Sequence, residues 1–282
     1  MDSSGRKDFV HQRHKWSEAA DALAEETANL WNAMRASQPD APLIALVGDS
    51  IVRGFGPRGF DFDPPSSNSF LQHPDRILDH FLRTAGKKAI AAFSGIAGTS
   101  QITKLCQNHL RPGDHIIFQD WGWRPRTKDA VFHQFASVAS LVREFDGINL
   151  WLTNGYAAEG VAASFDPRVP CVDTTLSPND IINEVALLCG VGIINVEQRF
   201  SFAQAHLKNH HLSLMLPDKI HPNAAGNVLL AGELYCCLYK ETPPLKQLKE
   251  EMTASMNSLG YPSVSTDIII SIIEKALADG LQ

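Results

Sequence analysis

Five short, largely unbroken apolar runs, separated by segments of helical period, constrain this chain more than any other feature. They are Leu43–Val47, Ala89–Phe93, His115–Gln119, Asn149–Thr153 and Gly192–Val196. A strand with one face in water alternates apolar and polar residues, whereas a strand covered on both faces is apolar almost throughout. The runs therefore read as five buried parallel strands. Between them, helical patterns at 69–86, 99–109, 128–145 and 177–189 supply the alternation of βαβ units. The predicted fold is α/β, a three-layer doubly wound five-stranded parallel sheet with extra helices at both ends.

At 282 residues the chain can bury a large closed core. Residues 1–14 read as a disordered N-terminus and 15–242 as the main domain, opened by an amphipathic helix over 15–36. That helix also offers a surface for self-association. After Glu241-Thr242-Pro243-Pro244, two further helical patterns at 245–258 and 265–280 read as an appendage over 243–282. The second carries Ile268, Ile269, Ile272, Ile273 and Ala276 on one face. A net charge of −6 gives no field to attract nucleic acid. A polar N-terminus and the lack of a long apolar run predict no membrane span and a cytoplasmic location. The 5 cysteines, odd in number and without CxxC spacing, read as plain thiols.

Ligand sites of doubly wound sheets gather at the carboxyl ends of the strands. The first strand runs straight into Gly48-Asp49-Ser50-Ile51, which places Ser50 at such an end, where a nucleophile belongs. A serine hydroxyl needs a base, usually a histidine held by a carboxylate. Asp218-Lys219-Ile220-His221-Pro222-Asn223-Ala224-Ala225-Gly226 supplies that pair on a loop that opens a helix. Taken singly, each motif also reads as a turn or a helix cap. Their order and spacing together carry the enzymatic reading.

Over residues 42–240 the chain resembles the SGNH (GDSL-like) hydrolases, whose first and last blocks look like GDSI and DxxHPNxxG here. The resemblance implies a flavodoxin-like sheet, a triad of Ser50, Asp218 and His221, and hydrolysis of an acyl ester, acetyl included, without metal or organic cofactor. Phe93-Ser94-Gly95-Ile96-Ala97-Gly98 resembles the second block, which implies amides of Ser50 and Gly98 in the oxyanion hole. The third block departs. Where the family has Gly-x-Asn-Asp, this chain has Gln119-Asp120-Trp121-Gly122-Trp123-Arg124. Arg124, Gln119, the Trp123 indole and Asn154 are the candidate third donors, and Asp49, Trp121, Trp123 and Asn154 the candidate substrate contacts. A small-molecule or carbohydrate ester is the expected partner.

Two other functions fit the same motifs: an O-acyltransferase on this scaffold, and a catalytically impaired binding module with an incomplete hole. Gly54-Phe55-Gly56-Pro57-Arg58-Gly59 matches GxGxxG but starts seven residues after the strand and is followed by prolines, unlike a dinucleotide loop. The sequence 54–68 instead reads as a long loop over the strand ends. His206, His210 and His211 fall at near-helical spacing without the Glu of HExxH, so a polar surface is the better reading.

Overall fold

The computed structural model describes residues 28–29, 31–48, 70–95, 99–120, 127–155, 177–216 and 221–279. Elements are numbered along the chain. The described part of helix α1 covers residues 28–29 and 31–37. Then come β1 (Leu43–Val47), α2 (Pro74–Thr84), β2 (Ile90–Gly95), α3 (Thr99–Asn108), β3 (His115–Phe118), α4 (Lys128–Arg143) and β4 (Asn149–Thr153). The series closes with α5 (Pro178–Cys189), β5 (Gly192–Ile194), α6 (Val196–Lys208), α7 (Ala224–Tyr239), α8 (Lys249–Ser258) and α9 (Ser265–Ala278). Residues 1–14, predicted to be disordered, lie outside the described residues.

The five strands form one all-parallel sheet in the order β2-β1-β3-β4-β5. This is the doubly wound α/β arrangement that the apolar runs predict. Strand pleating divides the core. Ile44, Leu46, Phe93, Ile117 and Ile194 face one layer, built with α2, α6 and α7. Leu43, Ala45, Val47, Ile116, Phe118 and Leu152 face the other, built with α3, α4 and α5.

One buried carboxylate organises the amino edge of the sheet. Asp114 receives two bonds from Arg35 of α1, at 2.8 and 2.7 Å, plus the amides of Leu43 at 2.8 Å and Arg111 at 2.9 Å. Trp31 of the same helix is buried in the second layer. The terminal helix is thus bound to the sheet by charge and by packing.

Two expectations need correction. The fifth apolar run stops as a strand at Ile194, because Asn195 caps a new helix by accepting the Gln198 amide, and Val196 begins α6. That helix was not visible in the apolar pattern, since its buried face is interrupted by Arg199. The buried stripe of α9 is Ile269, Ile270, Ile273, Ala276 and Leu277, rotated from the predicted face, with Ile268 and Ile272 at its border. This stripe, with Leu245, Leu248, Met252 and Met256, lies in the same apolar cluster as Ile44, Leu46 and Phe93 of the sheet. The C-terminal helices therefore share the first core layer. Gly232 of α7 permits their approach, as a Cβ there would sit 2.6 Å from Leu277 Cδ1.

Candidate active site

In a doubly wound sheet the crevice opens where the strand order reverses, here between the carboxyl ends of β1 and β3. Gln119 extends that pair by one residue, its amide donating to the Val47 carbonyl at 2.9 Å. Ser50 follows Val47 by three positions in the sequence. Two helices bring their N-termini to the same edge. The Phe93 amide near the end of β2 donates to Asp75 in the first turn of α2 at 3.1 Å, and Asn227 in the first turn of α7 donates to the Leu71 carbonyl at 3.1 Å.

His221 enters this edge on a tightly braced segment. The Leu216 amide donates to the His221 carbonyl at 2.8 Å, and Met215 and Pro222 form an isolated antiparallel bridge. Asn223 then works in both directions. Its Nδ2 donates to the Ser213 carbonyl at 2.7 Å and the Met215 carbonyl at 3.3 Å, while its Oδ1 accepts the Gly226 amide at 3.1 Å and caps α7. The backbone of His221 is therefore held at both ends, and its side chain is partly exposed at the rim.

Gly226 is where the brace closes. A Cβ on it would lie 2.3 Å from the Leu214 carbonyl oxygen and 2.7 Å from Pro222 Cβ, and a backbone oxygen cannot swing aside. Gly226→Ala is expected to destabilise the fold by about 1–3 kcal/mol, the range for overpacking a filled site. Urea unfolding of the purified variant beside wild type measures it; equal midpoints would refute the close approach.

The fourth connection differs from its expected role. Asn154 is buried, donates from Nδ2 to Asn195 Oδ1 at 2.9 Å and Asn183 Oδ1 at 3.3 Å, and accepts the Glu197 amide at 3.0 Å. Its amide brackets β4, α5 and the β5–α6 turn, so it is not free to meet a substrate or an oxyanion. Beside it, Asn179 pairs reciprocally with Gly155, accepting its amide at 2.8 Å and donating to its carbonyl at 2.7 Å. Four asparagines thus substitute for strand pairing at this end of the sheet. Gln119 is fully buried, and Asp120 accepts from Gln134 of α4.

Asp49, Ser50, Gly98, Trp121, Trp123, Arg124 and Asp218 lie outside the described residues, as do the GxGxxG stretch and Cys171. Burial raises the Cys106 thiol to about 11, and burial with the nearby Glu233 raises Cys236 and Cys237 to about 12, so none of the three is poised as a thiolate. His206 stacks on Phe202 at 4.2 Å with its Nδ1 at 2.9 Å from the Phe202 carbonyl. Among the described residues no group of three His, Cys, Asp or Glu could hold a metal ion, and no helix is long and apolar enough to cross a membrane. Sequence reading missed Asp75, Asn179 and Asn227, since an isolated polar residue in a helix carries no signal of a distant backbone partner.

The fold just described is that of a doubly wound α/β protein. No protein-family model matches the sequence, and no curated protein matches it. Among solved structures, the chain is similar to one described as a GDSL-like lipase from Parabacteroides merdae, at 14% identity over 70% of this chain and 94% of that one, with a TM-score of 0.48. It is also similar to an acetylxylan esterase from Geobacillus stearothermophilus, at 15% identity over 71% and 95% of the two chains, with a TM-score of 0.44. The fold class itself rests on the strand order and pairing of this chain.

Proposed function

We propose that the protein is a serine esterase acting on an acyl ester through an acyl-Ser50 intermediate. The observation that carries this reading is the bracing of His221 at the sheet's carboxyl edge by Leu216, Asn223 and Gly226, in a chain whose β1 runs into Gly-Asp-Ser at the switch point.

In the proposed cycle, Ser50 Oγ attacks the ester carbonyl carbon while His221 takes its proton. Asp218 orients the imidazole and stabilises its charged form. The amides of Ser50 and Gly98 donate to the developing oxyanion, with Arg124 as the third donor. Collapse breaks the bond to the alcohol oxygen, which leaves with the proton from His221. Water then attacks the acyl-Ser50 carbonyl, gives a proton to His221, and the acid departs as that proton returns to Ser50. An acyltransferase would follow the same steps with a second alcohol in place of water.

The test is hydrolysis of a p-nitrophenyl ester series from acetyl to octanoyl, with covalent trapping by an alkyl fluorophosphonate read by peptide mass. An adduct on Ser50 together with turnover supports the reading. A protein that turns over no ester and takes no adduct is instead a binding module that lacks a working oxyanion hole.

A further inference from the structure

The segment that carries His221 is a short ladder, and one of its bonds is supplied from outside. Residues 214–216 run antiparallel to 221–223. The Leu216 amide donates to the His221 carbonyl at 2.8 Å, the Asn223 amide donates to the Leu214 carbonyl at 2.8 Å, and Met215 lies opposite Pro222. Antiparallel pairs alternate between those that exchange two bonds and those that exchange none. Met215 and Pro222 are a pair without bonds, which suits a proline because it has no N–H to offer. Regular continuation would have Leu214 and Asn223 exchange two.

The second of these is not made, because the Asn223 carbonyl is committed to α7, where it accepts the Asn227 amide at 2.9 Å. A residue that caps a helix spends its carbonyl on the first intrahelical bond. The Leu214 amide thereby loses its ladder acceptor, and Leu214 is fully buried. A buried N–H cannot turn to water, so its acceptor must come from elsewhere in the fold. Gln204 of α6 provides it, with Oε1 accepting the Leu214 amide at 3.0 Å. The side-chain carbonyl takes the place of the missing main-chain one.

This replacement also decides what the ladder is fastened to. α6 is seated in the first core layer through Val196, Phe200, Ala203 and Leu207, and its Arg199 is bonded to Glu233 of α7. Gln204 therefore ties the ladder to a helix that is itself fixed at several points. We propose that Gln204 is a positioning residue for catalysis: by accepting the Leu214 amide it completes the ladder and fixes the backbone that bears the His221 imidazole. The inference rests on the esterase reading above. Its carriers are the Gln204–Leu214 bond, the commitment of the Asn223 carbonyl to α7 and the Leu216–His221 bond.

The experiment compares wild type with Gln204→Leu, Gln204→Asn and Gln204→Glu in hydrolysis of a p-nitrophenyl ester. Ser50→Ala is the chemical control and Leu277→Ala the control for general loss of stability, with exchange of the Leu214 amide followed by NMR as a second readout. Gln204→Leu removes the acceptor and is expected to lower kcat by about 10- to 100-fold at unchanged KM, the scale of a small misplacement of a catalytic group. The Leu214 amide should then exchange faster. Gln204→Glu keeps an acceptor oxygen at the same reach and should restore most of the rate. Gln204→Asn withdraws the oxygen by one methylene, should show the same loss to a smaller degree, and decides the matter if Gln204→Leu does not fold. Leu277 is buried against Gly232 in the middle of α7, so Leu277→Ala should lower the urea midpoint and leave kcat unchanged. Normal kcat in Gln204→Leu, or in Gln204→Asn where that variant decides, overturns the proposal. So does a Gln204→Glu no faster than Gln204→Leu, or an equal loss of kcat in Leu277→Ala. Each of these leaves the esterase reading standing, provided Ser50→Ala is inert. A wild type no faster than Ser50→Ala overturns the esterase reading, and this proposal with it, whatever the exchange data show.

Discussion

Replacing Ser50 or His221 by alanine is expected to lower kcat for a short-chain ester by about 10⁴–10⁶-fold, with little further loss in the double variant. Residues of a nucleophile–base pair act as a unit, so removing either forfeits nearly the whole contribution, and what survives comes from binding and oxyanion stabilisation. Steady-state kinetics across pH 5 to 9 provide the check. The wild-type rate should far exceed that of either single variant throughout this range. Additive losses would mean the two side chains do not cooperate, and the triad would have to be abandoned. Because the backbone of His221 is braced through Leu216 and Pro222, its truncation should leave the urea midpoint almost unchanged. Loss of activity would then report chemistry and not unfolding.

The largest effect on stability is expected at Arg199 and Glu233, which join α6 to α7 through a 3.0 Å bond between Arg199 Nε and Glu233 Oε2. Both residues are buried. Burial pushes the Glu233 carboxyl above its ordinary range, and the Arg199 guanidinium opposes that rise. Arg199→Ala leaves a buried charge without its partner and is expected to cost about 3–5 kcal/mol near pH 7. The sign of the pH dependence follows from the direction of the shift. A carboxyl raised in the folded state favours folding when protonated, so the penalty in Arg199→Ala should shrink as pH falls from 7 towards 5 and grow as it rises. Replacing both residues, as Arg199→Met with Glu233→Leu, should recover most of the loss, because no charge then remains to be desolvated. Urea titrations at several pH values test both parts. A penalty that is constant with pH would show that the loss comes from packing of the arginine stem alone.

Much of the architecture was legible because it follows from local regularities. A strand covered on both faces must be apolar along its length, so LIALV in β1 and HIIF in β3 declared themselves, and the helices between them showed their period. Where two signals overlap, the reading slipped. Val196 is apolar and continues the run of β5, yet Asn195 before it is a helix cap, and the cap prevailed because it satisfies the Gln198 amide. In α9 five isoleucines between 268 and 273 left its face ambiguous by about one residue step until packing chose Ile269 and Ile273.

The candidate site divides along the same line. The motif DxxHPNxxG was readable as a block, and its described residues each have a local physical role, with Asn223 as cap, Gly226 as the point of close approach and His221 at the rim. Asn154 could not be judged from sequence, because whether an amide is free depends on what surrounds it, and here Asn183, Asn195 and Glu197 all do. Asp75 shows the converse, an acidic residue in a helix whose partner is the amide of Phe93, 18 positions away in the chain. Sequence alone determined the layering and the parallel sheet, since hydrophobic period and chain order suffice for these. Only the tertiary structure decided which polar groups are already bonded, because hydrogen-bond satisfaction is a property of neighbours brought together by folding.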